Sequence, residues 1–244
     1  MKKDRLDKVL VALGLVQSRE RAKAMIMAGK VLVDRQPVDK PGTLIPLEAQ
    51  VEFKGEDIPY VSRGGLKLEA ALRSFQIDVQ GLDCIDIGAS TGGFTDCLLQ
   101  HGANKVYSVD VGYGQLAWKL RRDGRVVAIE RANIRHLPCD ALPFPVDLAV
   151  IDVSFISLRI VIPSALKFLK KSGDILALVK PQFEVGKGFV GKGGVVRSPE
   201  QHESVISAMT EFSNTIGLSC RGVIPSPVLG PKGNREFVMW LGEK

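Results

Sequence analysis

Apolar residues recur at two different spacings along the chain, and the change of spacing divides it into two parts. Within the first thirty residues, Leu6, Val9 and Leu10 lie three or four positions apart, which predicts a helix. Ser18 is placed to cap a second helix, and Gly29 to end it. Short apolar runs separated by turn residues follow, so residues 1–55 are predicted to form a small α+β domain.

Beyond a linker predicted at residues 56–63, strand-like and helical segments alternate. The strand segments are 83–87, 105–109, 126–129, 147–152 and 174–179, and the helical segments lie near 64–75, 94–101, 115–122, 160–170 and 199–216. This alternation predicts an α/β domain over residues 64–244 with a doubly wound, mostly parallel, Rossmann-like sheet. Two last extended segments, about 219–225 and 235–241, have no helix between them, so we expect them to pair antiparallel at one edge.

Positive charge is concentrated in two segments of an otherwise ordinary globular composition. The chain has 244 residues, 45% of them hydrophobic and 25% charged, which excludes a disordered or collagen-like protein. Of the net charge of +6, residues 1–30 supply eight Lys/Arg against three Asp/Glu, and residues 170–197 supply six against two. The rest of the chain is slightly acidic. Two basic segments on an acidic body predict a polyanionic partner.

Cysteine spacing and the N-terminal residues restrict the kinds of site and the compartment. Cys84, Cys97, Cys139 and Cys220 form no CxxC pair, so neither a metal site nor a disulfide framework is predicted. Charged residues interrupt each apolar stretch near the N-terminus, and no later apolar run approaches the ~18 residues of a membrane helix. We therefore expect a cytoplasmic protein with no metal and no membrane partner.

The segment after the first strand of the α/β domain has the pattern of a cofactor loop. Small residues let a backbone approach a ligand closely, and Asp86 at the strand end is placed to contact a polar or cationic group. Asp110 ends the second strand, where a carboxylate can bind a ribose diol. The loop residues predicted to line the site are Gly88, Ala89, Ser90, Thr91, Gly92, Gly93 and Phe94.

Two details of this loop favour S-adenosylmethionine over a dinucleotide. The pattern G-x-S-x-G-G lacks the middle glycine that brings a pyrophosphate onto a helix N-terminus. An acidic residue two positions before the first glycine also suits the ammonium of a methionine better than a phosphate. A dinucleotide enzyme and a purely structural turn are the alternatives at this stage. Glu130 and Asn133, after the third strand, are placed to bracket an adenine, with solvated loop residues as the alternative.

Two further polar side chains end neighbouring strands of the predicted sheet. Asp152 follows the fourth strand and Lys180 follows the fifth, so both are expected in the same cleft. A lysine at a strand end is usually a solvated surface group, but the nearby carboxylate makes this one a candidate for chemistry. Enzymes that methylate base nitrogens carry Pro-Pro-aromatic after the fourth strand. The segment 152–155, Asp-Val-Ser-Phe, lacks those prolines, which weakens that alternative.

Residues 3–53 carry the motifs Arg-Leu-Asp, Ser-Arg-x-x-Ala and Gly-Lys-Val-x-Val in order and in register. With these motifs the segment resembles the S4 RNA-binding domain found in ribosomal protein S4, pseudouridine synthases and tyrosyl-tRNA synthetases. The resemblance implies that the basic face of the two helices contacts structured RNA, through phosphate contacts that position the protein. The basic residues assigned to this role are Arg5, Lys8, Arg19, Arg21, Lys23 and Lys30.

Four sequence motifs follow the S4 segment in order. They are SRGGLKL at 62–68, DIGASTGGFTD at 86–96, IDVSFIS at 151–157 and VKPQFE at 179–184. With these motifs behind an S4 segment, the whole chain resembles the TlyA family. The family, often labelled hemolysin, implies an FtsJ-like, S-adenosylmethionine-dependent methyltransferase that modifies a ribose 2′-OH in the ribosomal RNA of ribosomal subunits, most commonly of cytidine. The Lys-Asp-Lys-Glu tetrad of such enzymes matches Lys67, Asp152, Lys180 and Glu236.

The tetrad suits a ribose hydroxyl, which is a poor nucleophile and must lose its proton as it attacks the methyl group. A neutral Lys180 amine would act as general base, Asp152 would orient it, and Glu236 would hold Lys67 or the ribose. The Gly/Lys-rich segment 184–197 is predicted to close on the RNA backbone. Its proposed phosphate contacts are Lys187, Lys192 and Arg197.

Three other functions compete with a ribose methyltransferase. A pore-forming cytolysin would match the family label, but it would need membrane-active segments. An RNA-binding scaffold with an inactive methyltransferase fold would not need an intact tetrad. A base N-methyltransferase would leave the second lysine unexplained.

Overall fold

The chain folds into two compact units in the computed structural model, Met1–Pro59 and Tyr60–Lys244. The structure describes residues 3–16, 19–27, 29–53, 58–186, 190–191 and 193–244. Ser18, predicted to cap the second helix, lies outside the described residues.

The first unit consists of two helices and two small antiparallel sheets. Its elements in chain order are β1 (Lys3–Arg5), α1 (Leu6–Ala12), α2 (Arg19–Met27), β2 (Val31–Val33), β3 (Gln36–Pro37), β4 (Leu44–Pro46) and β5 (Val51–Phe53). β1 pairs with β4, and the other three strands have the order β3-β2-β5. Leu6, Leu10 and Ile26 are fully buried between the helices and the sheets, as the helical spacing predicts.

The second unit is built around one seven-stranded sheet. Its elements are α3 (Gly64–Phe75), β6 (Asp83–Ile87), α4 (Gly93–Gln100), β7 (Lys105–Val109), α5 (Trp118–Arg121), β8 (Val126–Ile129), β9 (Val146–Ile151), α6 (Leu158–Ala165), β10 (Leu169–Val179), α7 (Pro181–Glu184), α8 (Pro199–Thr215), β11 (Leu218–Pro225) and β12 (Phe237–Glu243). The strand order is β11-β12-β10-β9-β6-β7-β8. The five strands from β10 to β8 are parallel, whereas β12 is antiparallel to both of its neighbours. The predicted mostly parallel fold with a terminal antiparallel pair is confirmed.

The strand that precedes Lys180 begins earlier than the sequence pattern predicts. The predicted helix 160–170 ends at Ala165, and β10 already starts at Leu169. The pairing with β9 is irregular between Leu169 and Asp174. A Cβ at Gly173 would lie 2.6 Å from Leu169 Cγ and 3.0 Å from Asp147 O, so only glycine allows this close approach.

This early start changes the interpretation of the second basic segment. Lys170 and Lys171 lie at the amino end of β10, and Lys180 follows its carboxyl end. Eleven residues of strand separate the two ends by roughly 35 Å. The Lys170 ammonium is also paired with Asp147 at 2.7 Å. The excess charge of residues 170–197 is therefore divided between the two ends of β10 and does not form one patch around Lys180.

Candidate active site

The carboxyl ends of β9 and β10 place Lys180 against Asp152. The two strands are adjacent and parallel, with Ile151 opposite Ala177, so the residues that follow them share one edge of the sheet. Lys180 Nζ lies 2.6 Å from Asp152 Oδ1 and donates a hydrogen bond to Ser154 Oγ at 3.0 Å. The structure thus brings together the two strand-end residues that the sequence proposed as neighbours.

A second lysine–carboxylate pair lies at the same edge. Glu236 immediately precedes β12, and the register of β12 against β10 places Phe237 opposite Val179, which leaves Glu236 next to Lys180 in the sheet. Lys67, from α3, reaches Glu236 Oε2 with its Nζ at 2.5 Å. In the described part of the chain, Lys67 and Lys180 are the only buried lysines. Two buried ammonium groups facing two carboxylates give this edge no net charge, which lowers the cost of burying them.

The loop after Asp152 is tied to the segment after Lys180 by contacts that sequence reasoning missed. Glu184 accepts hydrogen bonds from Ser157 Oγ at 2.6 Å and from the Leu158 backbone N–H at 2.8 Å. Burial raises the pKa of Glu184, and these two donors oppose that shift. The VKPQFE motif includes Glu184, but the spacing of the motif does not show that the Glu184 carboxylate caps α6.

Phe155 is the most exposed large apolar side chain of the described residues, at 91%. Its backbone is in the left-handed region with φ 64°, which a bulky residue adopts only at a cost. Its ring leans on Phe183, with 5.2 Å between the centroids. The preceding residue, Ser154, accepts a hydrogen bond from Lys180. An aromatic ring held in solvent at this position is suited to stack on a nucleobase. Sequence reasoning noted Phe155 only as part of a motif, and its exposure was the missing observation.

Three positions in the loop after β6 require glycine because neighbouring protein atoms leave no room for a Cβ. A Cβ at Gly88 would lie 2.4 Å from Asp152 O, and one at Gly92 would lie 2.3 Å from Leu120 Cδ1. A Cβ at Gly93 would lie 2.2 Å from Ser62 Oγ. The alternative of a tight structural turn therefore explains much of the pattern. Within the loop, Ala89 and Phe94 are buried, whereas Ser90 and Thr91 are exposed.

Asp86 differs from its sequence-based interpretation. We expected its carboxylate to meet a ligand, but the residue is fully buried. Oδ2 accepts hydrogen bonds from Thr95 N at 2.9 Å and Thr95 Oγ1 at 2.6 Å, and Oδ1 has no hydrogen-bond partner in the part of the chain that is described. Burial raises the pKa of Asp86 to about 7, despite the opposing bonds from Thr95. In this structure the residue holds the start of α4 against β6.

Asp110 joins the loops that follow β6 and β7. Its Oδ2 accepts from the Ser90 backbone N–H and its Oδ1 from that of Gly112, both at 2.7 Å. Each carboxylate oxygen retains a second lone pair, so the group can still accept hydrogen bonds from a diol. The next residue, Val111, is 70% exposed. A carboxylate beside an exposed apolar side chain is the combination needed to hold a nucleoside.

The two residues proposed to bracket an adenine already have partners. The Glu130 carboxylate pairs with Arg121 and accepts from the Gly114 N–H at 2.8 Å. The Arg121 guanidinium lowers the pKa of Glu130. Asn133 is exposed, and its Oδ1 accepts from the Arg135 N–H at 3.1 Å. These contacts order the loops after β7 and β8, as the solvated-loop alternative predicts.

Part of the basic surface of the first unit is neutralised from within. The fully buried Asp7 carboxylate lies 2.9 Å from Arg5 Nε and 2.8 Å from a terminal nitrogen of Arg19. Lys8 Nζ is 3.8 Å from Asp4. The arginines were assigned to RNA, but their ion pairs show that they also stabilise the fold.

Arg21, Lys23 and Lys30 complete the predicted basic surface. Arg21 donates to the Ile58 carbonyl at 3.0 Å. Lys23 is exposed and Lys30 is partly buried.

We expect Asp7→Asn to destabilise the first unit by about 1–3 kcal/mol, because two charge-assisted hydrogen bonds to the arginines would weaken. The pKa of Asp7 is held well below its usual value, chiefly by the hydrogen bond from Arg5. Folding therefore favours the ionised form, and this stabilisation is complete above about pH 4 and is lost as the pH falls further. Hydrogen exchange of the α1 amides in the full chain between pH 3 and 6 measures it. Asp39→Asn, at an exposed site, is the control, and equal protection in both variants would refute the role of Asp7.

The segment after α7 is only partly described. Lys187 and Lys192 lie outside the described residues, and Arg197 is exposed. Asn234 Oδ1 accepts from the Val196 N–H at 3.1 Å, and its Nδ2 donates to the Gly194 carbonyl at 3.0 Å. The end of the segment is thereby attached two residues from Glu236.

Two kinds of structural feature are absent from the described residues. No helix among them is long and apolar enough to cross a membrane. Within the same residues, no three His, Cys, Asp or Glu side chains form a group that could hold a metal ion.

Comparisons with known proteins match both units. The model of the FtsJ-like methyltransferase family matches residues 60–243, and that of the S4 domain matches residues 4–51. Two curated relatives cover nearly the whole chain. YqxC of Bacillus subtilis, named as an rRNA methyltransferase, is 51% identical over 99% of this chain and 88% of its own length. A protein of Mycobacterium tuberculosis named 16S/23S rRNA (cytidine-2′-O)-methyltransferase TlyA is 48% identical over 97% of this chain and 89% of its own length.

A solved structure extends the match to three dimensions. A chain from Streptococcus thermophilus, named as a hemolysin, is 46% identical and superposes with a TM-score of 0.79, covering 100% of this chain and 90% of that one. Sequence identity of this extent over both units establishes the relationship, and it confirms the resemblance inferred from the motifs. The chain belongs to the TlyA family, in which an S4 domain precedes an FtsJ-like methyltransferase domain.

Proposed function

We propose that this protein transfers a methyl group from S-adenosylmethionine to the ribose 2′-OH of cytidine in ribosomal RNA. The observation that carries the proposal is the pair of buried lysines, each bound to a carboxylate, at the carboxyl edge of the sheet. The M. tuberculosis relative is named for this reaction. A base N-methyltransferase would leave the Lys67–Glu236 pair without a role.

The residues around Asp110 fit the methyl donor. The Asp110 carboxylate has free lone pairs for a ribose diol, Val111 offers an apolar surface for an adenine, and Ser90 and Thr91 are exposed on the adjoining loop. S-adenosylmethionine, when bound, supplies an electrophilic methyl group on a sulfonium. Asp86, in contrast, is proposed to position the glycine loop from inside the fold.

The tetrad would deprotonate and orient the ribose hydroxyl. Lys180, once its ammonium has released a proton to solvent, would accept the hydroxyl proton as the ribose oxygen bonds to the methyl carbon. S-adenosylmethionine would give up that carbon as its carbon–sulfur bond breaks and the sulfonium becomes a thioether. Asp152 and Ser154 fix the position of Nζ, so the amine loses little conformational freedom when it reacts. Glu236 holds the Lys67 ammonium, whose remaining hydrogens can bind the ribose oxygen as negative charge develops there.

The direct test is to identify the methylated nucleoside. Purified protein is incubated with methyl-labelled S-adenosylmethionine and either ribosomal subunit, and the RNA is digested to nucleosides. We expect label in 2′-O-methylcytidine and resistance to alkaline cleavage at the modified position. Label in a base-methylated nucleoside would refute ribose methylation, and absence of label with both subunits would refute the proposed substrate.

We expect Asp110→Ala to weaken binding of S-adenosylmethionine by about 10- to 100-fold, because hydrogen bonds between a charged group and a diol contribute about 1.5–3 kcal/mol. Isothermal titration of the full chain measures the affinity. Asp123→Ala is the control, since Asp123 follows α5 in the sequence and pairs with Arg125 at 2.8 Å. Equal affinity of the Asp110 variant and the native chain would contradict the assignment.

We expect Phe155→Ala to raise the KM for ribosomal RNA about tenfold with unchanged affinity for S-adenosylmethionine, because one stacked base contributes about 1–3 kcal/mol. Phe155→Tyr, which keeps an aromatic face, should retain most of the affinity. A native KM in the alanine variant would show that the exposed ring contacts no base.

The basic residues outside the tetrad are proposed to bind RNA. Arg21, Lys23 and Lys30 of the first unit and Arg197 of the second are proposed phosphate contacts, to which the partly neutralised Arg5, Lys8 and Arg19 contribute less. Because these contacts release counterions, RNA binding should weaken steeply as the salt concentration rises.

We propose that the chain is divided into an S4-like domain at 1–55, a linker at 56–63 and a catalytic domain at 64–244. A ribosomal substrate also supports location in the cytoplasm.

A further inference from the structure

The short helix α5 is fixed to the second unit by all but one of its four side chains. Lys119 Nζ lies 2.9 Å from Asp96, and Arg121 pairs with Glu130 and donates to the Leu116 carbonyl at 3.3 Å. Leu120 is buried and packs over Gly92. These contacts leave α5 little freedom to move. The remaining side chain is that of Trp118.

Trp118 is 72% exposed, although tryptophan is rarely left in water when a fold can cover it. The residue after α5, Arg122, is exposed and has no ion pair among the described residues, unlike Lys119 and Arg121. Nearby in the chain, Tyr113 is 68% exposed, and the Arg131 guanidinium lies 4.3 Å from the centre of its ring. The segment thus presents a rigidly supported indole and an unneutralised arginine to solvent.

We propose that Trp118 and Arg122 form a second RNA contact of the catalytic unit, in which the indole stacks on an unpaired base and Arg122 binds an adjacent phosphate. This inference rests on the proposed function, since it concerns the same substrate RNA. An indole face stacks on any base, and an arginine without a carboxylate partner is complementary to a polyanion. An apolar protein partner would not require Arg122.

The nucleotide at Trp118 is distinct from the one whose ribose is methylated. Phe155 follows β9, whereas Trp118 follows β7, and β6 lies between these strands in the sheet. Two strand spacings separate their ends by about 10 Å. Ala117 N donates to the Thr91 carbonyl at 3.1 Å, so the start of α5 adjoins the glycine loop rather than the loop of Phe155. The contact would therefore help to hold the RNA at a nucleotide other than the one whose ribose reacts.

Fluorescence of Trp118 tests the stacking directly. The chain has two tryptophans, and Trp240→Phe leaves Trp118 as the only indole. In this variant we expect a twelve-nucleotide single strand of oligocytidylate to quench the emission at least twofold. An RNA duplex of the same length, whose bases are already stacked, should leave the emission nearly unchanged. Equal quenching by both RNAs, or by neither, would overturn the proposal.

Binding measurements separate stacking from charge and from self-association. In the native background, Trp118→Ala should lower the affinity for the single strand about 10- to 100-fold, and Trp118→Phe should retain most of it. Phe144→Ala, which removes another exposed aromatic ring, should keep native affinity. Equal losses in the Trp118→Ala and Phe144→Ala variants would overturn the proposal. A change in emission with protein concentration alone, together with dimers in sedimentation, would identify a second copy of the chain as the occupant and also overturn it.

A methylation assay keeps this inference distinct from the proposed function. We expect Trp118→Ala to raise the KM for ribosomal RNA while kcat and the affinity for S-adenosylmethionine stay native. A lower kcat with native KM would contradict the proposed contact. If the native protein methylates no ribose but Trp118 is still quenched by single-stranded RNA, the proposed reaction fails and the RNA contact stands.

Discussion

The variant Lys180→Ala is expected to lose methyl transfer by a factor of at least about 10²–10⁴, the usual contribution of a positioned proton acceptor. Its affinity for S-adenosylmethionine should stay close to native, because Lys180 contacts Asp152 and Ser154 rather than the residues around Asp110. Single-turnover methylation of ribosomal RNA measures the first effect, and isothermal titration measures the second.

Two further variants show whether Lys180 acts as a base or only as a charge. Lys180→Arg keeps a cation beside Asp152, but a guanidinium does not lose its proton in a protein, so this variant should be as inactive as the alanine variant. Lys170→Ala is the matched control, since Lys170 also pairs with an aspartate but lies at the opposite end of the same strand. Appreciable activity in Lys180→Arg would exclude the role of general base.

Breaking the Lys67–Glu236 pair is expected to have the largest effect on stability. Lys67→Met would leave the carboxylate of Glu236, which is 1% exposed, without its partner. Uncompensated burial of one charge costs about 3–5 kcal/mol, which denaturant unfolding of the full chain would reveal. Glu236→Gln should cost less, because a neutral amide can still accept a hydrogen bond from Lys67.

The double variant Lys67→Met/Glu236→Gln separates folding from chemistry. Removing both charges should recover most of the lost stability, since buried ion pairs contribute little net free energy compared with neutral replacements. Methyl transfer should remain lost, because the Lys67 ammonium proposed to stabilise the developing oxyanion is absent. If activity returned together with stability, the pair would be structural and the tetrad assignment would fail.

Sequence patterns predicted most of the fold because a period of two or of 3.6 residues reports which side chains are buried. The parallel sheet, the antiparallel terminal pair and the order of strands and helices followed from that pattern. The start of β10 was the main exception. Leu169 is followed by Lys170 and Lys171, so its apolar period is broken, and pairing with β9 across a bulge holds the segment in the sheet.

Backbone topology predicted one part of the candidate site, and the family resemblance supplied Lys67 and Glu236. Asp152 and Lys180 end adjacent parallel strands, so their approach follows from the fold. Two other features depend on contacts between segments far apart in sequence. Arg19 pairs with Asp7 over a separation of twelve residues, and the exposed ring of Phe155 contacts that of Phe183. Residue types and spacing do not encode such contacts.

The sequence by itself predicted the two-part organisation, the sheet and the family, since these depend on periodicity and on motifs in order, and the family resemblance supplied the residues proposed as the tetrad. Only the tertiary structure decided how the charges are used. It pairs Lys67 with Glu236 over 169 residues, buries Asp86 inside the fold and divides the second basic segment between the two ends of β10. Net charge counts ions along a chain, but electrostatic energy depends on distance and burial, and the fold sets both.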